Sequence, residues 1–336
     1  MSVSSSTSKS GRGSDAGALL VTGAAGFIGA RFVALHAGGR SLISVDERQH
    51  FGTRPEHAGI DFGTIIDRDD LPAWLADTKP ALAGIVHLGA CTDTTELDVT
   101  YLTRINLEYT QTLWRHATAH RIPFVYASSA AVYGDGALGY DDADELTPRF
   151  HPLNPYGDSK LRFDVWALGE ERAGRSTPPA WSGFRFFNVY GPGERHKGKM
   201  ASVVLHAFDQ IRSGGTVTLF RSHKAGFADG EQKRDFVYVD DVVDVLQFAL
   251  AKPLARGIYN LGTGTARTFL DLVRATFRAT GAPEQIRFVD TPEAIRERYQ
   301  YFTEARMDRL RAAGWTRPFT SLEDGVKRYV DWLQTR

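Results

Sequence analysis

Cysteine is nearly absent. Cys91 is the only one in 336 residues, so no intrachain disulfide can form and a reducing compartment is expected. Net charge is absent too. Forty Lys and Arg balance forty Asp and Glu, which leaves no field to draw the chain to nucleic acid or an anionic membrane. There is no apolar run of about 18 residues to cross a bilayer. The ten histidines include no H-E-x-x-H and no carboxylate–histidine cluster with ligand spacing, so metal catalysis is not expected. The opening "MSVSSSTSKSGRGSDAG" has no apolar h-region and is read as a disordered tail over 1–17. These absences point to a cytoplasmic globular enzyme with no nucleic acid, membrane or metal partner.

What is present is alternation. Apolar runs at Leu19–Val21, Leu42–Val45, 84–90 and 123–130 predict buried strands. Between them, Ala30–Ala37 and Tyr101–Ala119 suit helices, the latter with Leu102, Ile105, Tyr109 and Leu113 near a 3.6-residue period. Strand–helix alternation predicts an α/β, Rossmann-like, doubly wound parallel sheet. Further on, "NVYGPGERHKGK" and "RSHKAGFADGEQKRD" read as loops, with helices over Met200–Arg212, from Asp240 and Asp241 to just before Pro253, and after Ser321 as N-cap. No linker separates two independent units. The predicted division is a cofactor domain over 18–187 plus 235–262, and a smaller mixed α/β substrate lobe over 188–234 plus 263–336.

Gly23, Gly26 and Gly29 form G-x-x-G-x-x-G between a strand and a helix. Glycine permits the tight turn and lets backbone N–H groups approach a pyrophosphate at a helix N-terminus. Asp46 ends the next apolar run about 20 residues on, where an acid can bond the adenosine ribose. Together these predict a dinucleotide site. Asp46 alone favours NAD; Arg48, Arg54 and Arg68 can offset it for a 2′-phosphate, and NADP is preferred over NAD.

Ser129 lies in "YASSAAVYG", and Tyr156 and Lys160 in "YGDSK". A tyrosine is a poor base at its ordinary pKa of about 10. A lysine one helical turn away, with the positive charge of an oxidised nicotinamide, would favour the phenolate, and a serine hydroxyl can hold the substrate oxygen. That set suits proton removal from an alcohol while hydride leaves its carbon.

With these motifs the chain resembles the extended short-chain dehydrogenase/reductase superfamily. "HLGACTDTTE", "FRFFNVYGPGERHKGKMASV", "DGEQKRDFVYVDD", "GIYNLGTG" and "RYQYFTEA" resemble one branch of it, the ADP-glyceromanno-heptose 6-epimerases. The resemblance runs from about Leu19 to the C-terminal helix. It implies inversion of C6 of an ADP-heptose by oxidation to a carbonyl and return of hydride to the other face, for lipopolysaccharide core assembly. Tyr156 and Lys197 are then the two acid/base residues, with Ser129 and Lys160 assisting.

The same resemblance implies cofactor contacts from Phe27, Ile28, Asp46, Glu47, Arg54, Arg68, Leu88, Gly89, Ala90, Cys91, Thr92, Lys160, Val189 and Lys197, with Asn106 a further candidate. His87 is expected to pack rather than react. For substrate it implies Asn188, Lys199, His206, Phe220, Arg221, Ser222, His223, Arg234 and Tyr299. Lys199 stands where members carry serine. Members are homo-oligomers, pentamers among them, so a homo-oligomer is expected. Competing readings are another nucleotide-sugar epimerase, a dehydratase, and a non-catalytic cofactor-binding sensor. Ala130 and Ala131 stand where a dehydratase would carry acids.

Overall fold

The computed structural model describes residues 17–36, 40–296 and 300–336. The predicted tail and Tyr299 lie outside the described residues, apart from Gly17. The strands are β1 (Ala18–Thr22), β2 (Leu42–Asp46), β3 (Thr64–Asp67), β4 (Leu82–His87), β5 (Phe124–Ser129), β6 (Trp181–Phe186), β7 (Asn188–Tyr190), β8 (Val217–Phe220), β9 (Lys233–Tyr238), β10 (Gly257–Leu261), β11 (Ala266–Thr268) and β12 (Ile286–Val289).

Seven of them form a parallel sheet in the order β10-β6-β5-β4-β1-β2-β3. Strand order reverses between β1 and β4, the crevice where doubly wound sheets bind ligands. Helices cover both faces, so the strands read as apolar runs; Leu20 and Val21 are fully buried. Two cores result. Val21, Val86 and Val125 pack with the Phe27–Leu35 and Val239–Ala251 helices, whereas Leu20, Ile43 and Ile85 pack with Trp114 and Phe163.

The smaller lobe holds a three-stranded sheet, β11-β9-β7, and the pair β12-β8. Its core gathers Val204, Phe208, Phe236, Leu272, Val326 and Tyr329, from three helices and β9. Two expected loops contain strand. Asn188–Tyr190 is β7, and Lys233–Asp235 opens β9. The charges of β9 find partners: the buried Asp235 carboxylate accepts from Thr263 N (2.7 Å), Gly264 N (2.9 Å) and Ala305 N (3.0 Å). The helix expected over Met200–Arg212 starts at Val203, behind the N-cap Ser202. The one expected over Tyr101–Ala119 is interrupted by a π-turn at Thr103–Glu108.

Candidate active site

The turn after β1 is shaped by its glycines. Gly23 has φ +66°, and a Cβ there would sit 2.6 Å from Gly89 N; at Gly29 it would sit 2.0 Å from Gly23 O. Strand, loop and helix therefore approach as no larger residue allows. The Phe27–Leu35 helix starts at Gly26 with no side-chain cap, so its first N–H groups face the crevice unclaimed by a cap. Phe27 is buried and Ile28 half-buried beside them. This cradle fits a dinucleotide pyrophosphate.

Asp46 closes the loop from the neighbouring strand. Its carboxylate accepts from Ala25 N (3.1 Å) and Glu47 N (2.8 Å) and pairs with His50 Nδ1 (3.0 Å). Arg54 donates to the Ala25 carbonyl. Arg68 is engaged by Glu47 (3.0 Å) and Asp69 (3.1 Å), while Arg48 is exposed. Of the three expected arginines, two thus already have protein partners that a 2′-phosphate must share.

Past β4, Leu88 N donates to Thr22 O (3.1 Å) and Gly89 N to Thr22 Oγ1 (3.2 Å). Leu88, Gly89, Ala90 and Cys91 are half-buried here and Thr92 is exposed. Asn106, on the π-turn, grips Cys91 at both backbone groups: Oδ1 accepts from Cys91 N (2.8 Å) and Nδ2 donates to Cys91 O (3.0 Å). Nδ2 also reaches Ser159 Oγ (3.0 Å). Burial pushes the Cys91 thiol above its ordinary pKa.

His87 is fully accounted for. Thr110 gives its proton to Asn106 O, so His87 Nε2 donates to Thr110 Oγ1 (2.8 Å) and Nδ1 accepts from Thr22 Oγ1 (2.6 Å). Burial, with Lys160 nearby, lowers its pKa to about 3, and the ring is neutral packing.

The Pro155–Arg172 helix opens on Asn154, whose Oδ1 accepts from Gly157 N (2.8 Å). It presents Tyr156 and Lys160 four residues apart on one face, toward the end of β5. Burial raises the pKa of the Tyr156 phenol, and the neighbouring Ser129 hydroxyl opposes the rise. Lys160 is buried, and its Nζ donates to Ala127 O (2.9 Å). Burial takes this ammonium down to about 8, against the pull of Asp164.

Asp164 belongs to a network that no sequence motif marked. With Arg185 (3.1 Å) it forms an ion pair of zero exposure, and it accepts from Tyr126 OH (2.9 Å) and Ser128 Oγ (2.9 Å). Arg185 continues to Tyr133 OH (3.1 Å) and Thr147 Oγ1 (2.9 Å). The network holds the Tyr156 helix to the strand that ends in Ser129. An arginine inside the apolar strand "WSGFRF" was the available signal.

Lys197 rides a 3-10 turn, Arg195–Met200, after β7. Its Nζ lies 5.2 Å from the Phe27 ring centroid, which brings a second lysine to the glycine cradle. Asn188 is exposed and Val189 half-buried in β7; Lys199 is exposed, and His206 is half-buried on the Val203–Gly214 helix. The Phe220–His223 segment leaves β8 and is held from β12 onward. Arg221 N donates to Val289 O (2.8 Å), Thr291 N to His223 Nε2 (3.2 Å) and His223 N to Tyr301 OH (2.9 Å); Ser222 N donates to Asp229 Oδ1 (2.9 Å). Arg234 is buried and donates to Gln300 O, and Gln300 in turn donates to Gly134 O. Gln300 thereby ties the smaller lobe to the loop beyond Ser129. A cavity of about 680 Å³ lined by Phe236, Arg267, Trp315 and Phe319 includes none of these residues. No helix among the described residues is long and apolar enough to cross a membrane.

A doubly wound sheet, a capless glycine turn and a Ser–Tyr–Lys set at its C-terminal edge are the parts of a nicotinamide-dependent enzyme. The chain belongs to the NAD dependent epimerase/dehydratase family, which residues 19–262 match. Within it, an ADP-L-glycero-D-manno-heptose-6-epimerase of Fusobacterium nucleatum is 44% identical over 324 residues, 93% of this chain and 96% of that one. The crystal structure of the Helicobacter pylori ADP-L-glycero-D-manno-heptose-6-epimerase superposes with a TM-score of 0.78 at 27% identity, covering 95% of this chain and 97% of that one. A Thermus thermophilus UDP-glucose 4-epimerase in complex with NAD gives a TM-score of 0.71 at 25% identity, covering 94% and 98%.

Proposed function

We propose that this enzyme is an isomerase that converts ADP-D-glycero-D-manno-heptose to the L-glycero epimer at C6, with NADP bound, to supply lipopolysaccharide core assembly. The observation that carries the reading beyond the family is Lys197. It stands over Phe27 on a turn of its own, apart from the helix of Tyr156 and the strand of Ser129, and such an epimerase needs two proton-handling groups in different places.

When bound, the nicotinamide supplies a hydride acceptor and later a donor. Tyr156 takes the proton of the C6 hydroxyl while Ser129 holds that oxygen. After the carbonyl turns over, Lys197 gives a proton to the oxygen in its new place. Lys160 fixes the floor through Ala127 and holds the cofactor ribose. Asp46, Glu47, Arg54 and Arg68 frame the adenosine end, and Leu88–Thr92 with Asn106 form the wall beside it. Asn188, Lys199, His206, Phe220–His223 and Arg234 hold the nucleotide sugar, with Tyr299. The cofactor domain takes in 18–187 and 235–262, and 188–234 with 263–336 form the substrate lobe. The enzyme is a cytoplasmic homo-oligomer.

The test is NMR of the purified protein with ADP-D-glycero-D-manno-heptose in deuterated water, with and without added NADP⁺. Conversion with no deuterium at C6 is expected. Tyr156→Phe and Lys197→Met should each cut turnover by about 10²-fold or more while the fold persists. No conversion by folded, cofactor-loaded protein overturns the heptose assignment. Full activity of Lys197→Met overturns the two-base scheme and leaves a one-tyrosine epimerase.

A further inference from the structure

Glu194 has zero exposure yet immediately precedes the turn that bears Lys197. Its Oε2 accepts from Ser202 N (2.7 Å); its Oε1 accepts from Ser202 Oγ (2.5 Å) and, more weakly, from Gly191 N (3.4 Å). One carboxylate therefore closes the chain from Gly191 to Ser202 into a loop. Its own carbonyl accepts from Lys197 N (3.0 Å). Every partner is a donor, which favours the ionised carboxylate; burial pushes the Glu194 pKa above its ordinary value, and these donors with Lys197 oppose that rise.

The loop is anchored on both sides. Ser202 caps the Val203–Gly214 helix. From the C-terminal helix, Leu322–Gln334, the buried Tyr329 hydroxyl faces Glu194, although no hydrogen bond of good geometry reaches it. Arg195, the nearest other cation in sequence, is turned to Asp209 (2.9 Å) and does not neutralise Glu194. On the side of the glycine cradle the charged and titratable neighbours of the turn are Arg54, Glu56, His57 and His196. Lys197 is left between an aromatic ring and a buried anion. Burial disfavours its ammonium, and Glu194 is the charge that opposes this.

We propose that Glu194 is a positioning residue: it locks the Gly191–Ser202 loop and presents the cationic end of Lys197 over Phe27. The proposal rests on the reading of Lys197 as one of the two acid/base groups. Glu194 touches neither substrate nor cofactor and acts through Lys197. Its carboxylate favours the protonated lysine, so its charge sets the pH at which Lys197 stops donating.

The test compares the full-length enzyme with Glu194→Gln, Glu194→Asp, Ser202→Ala and Lys197→Met. The readouts are kcat and KM for ADP-D-glycero-D-manno-heptose against pH. Glu194→Gln keeps an oxygen for Ser202 and removes the charge. Its kcat is expected to fall about tenfold or more with KM within about threefold, as for a misplaced catalytic group. The alkaline limb of kcat should move at least about half a pH unit lower, because the ammonium loses its anion. Glu194→Asp should restore the limb and part of kcat. An unchanged kcat and limb in Glu194→Gln, beside an inactive Lys197→Met, overturns the proposal. An active Lys197→Met overturns the two-base reading first. Should Glu194→Gln fail to fold, Ser202→Ala decides: kcat lower by about threefold or more with the limb in place is expected, and no loss of kcat overturns the proposal.

Discussion

Lys160 shows how much of a single side chain's behaviour comes from its surroundings. It is 6% exposed, and burial takes it from an ordinary 10.5 to about 8. Between those values the unfolded chain binds more protons than the folded one, so the Lys160 contribution to stability rises as pH rises through this window. Below about 8 both states hold the proton and the penalty is constant. The stability difference between the wild type and Lys160→Met, from urea unfolding of cofactor-free protein, should therefore shift in favour of the wild type by about 3 kcal/mol between pH 8 and 10.5. A flat difference would mean that Lys160 is solvated. The bond to Ala127 O ties Lys160 to the end of β5. Beside it, the Ser129 hydroxyl opposes the rise that burial causes in the Tyr156 phenol.

Elements place these residues, and the π-turn at Thr103–Glu108 is the clearest instance. One widened turn aims Asn106 at the loop after β4, where it binds both backbone groups of Cys91. Asn106→Ala strands a half-buried N–H and C=O, a cost of about 1–3 kcal/mol. Part of that should appear as weaker nicotinamide binding, with the NADP⁺ dissociation constant up about tenfold by fluorescence titration. An unchanged constant would confine Asn106 to folding. Nothing in the sequence announced the turn, because Leu102, Ile105 and Tyr109 suit an α-helix equally well. The strands β1, β2, β4 and β5 were legible as apolar runs because both faces of that sheet are covered. Strands β7 and β9 were not: one has three residues, and the other opens on Lys233, Arg234 and Asp235, whose partners come from distant segments. The same limit applies at the site. Gly23, Ser129, Tyr156 and Lys160 sit in local motifs, whereas Asp164 with Arg185, and Glu194 with Ser202, matter only once folding makes them neighbours.

At the scale of the whole molecule, a cofactor that ends each cycle in its starting state has no need to leave, and can be part of the folded structure. The glycine turn is tied to β2 by Asp46, and Arg54 reaches Ala25 from beyond that strand. The Lys197 loop then covers the turn from the other lobe by way of Phe27. Binding here should join the lobes and raise the unfolding temperature. A ligand at about 100 times its dissociation constant adds about 2.7 kcal/mol. For a chain of this size that is an increase of several degrees. With equal concentrations of NADP⁺ and NAD⁺ on stripped protein, the larger rise is expected with NADP⁺. Arg68 is the cation to remove, since its backbone N–H donates to the Asp46 carbonyl and its guanidinium pairs with Glu47, next in the chain, where a 2′-phosphate would share it with Glu47 and Asp69. Arg68→Ala should bring the NADP⁺ rise down to the NAD⁺ level and leave the latter unchanged. A larger rise with NAD⁺ in the wild type would assign Asp46 to the free ribose and overturn the NADP preference, with the roles proposed for Tyr156 and Lys197 untouched.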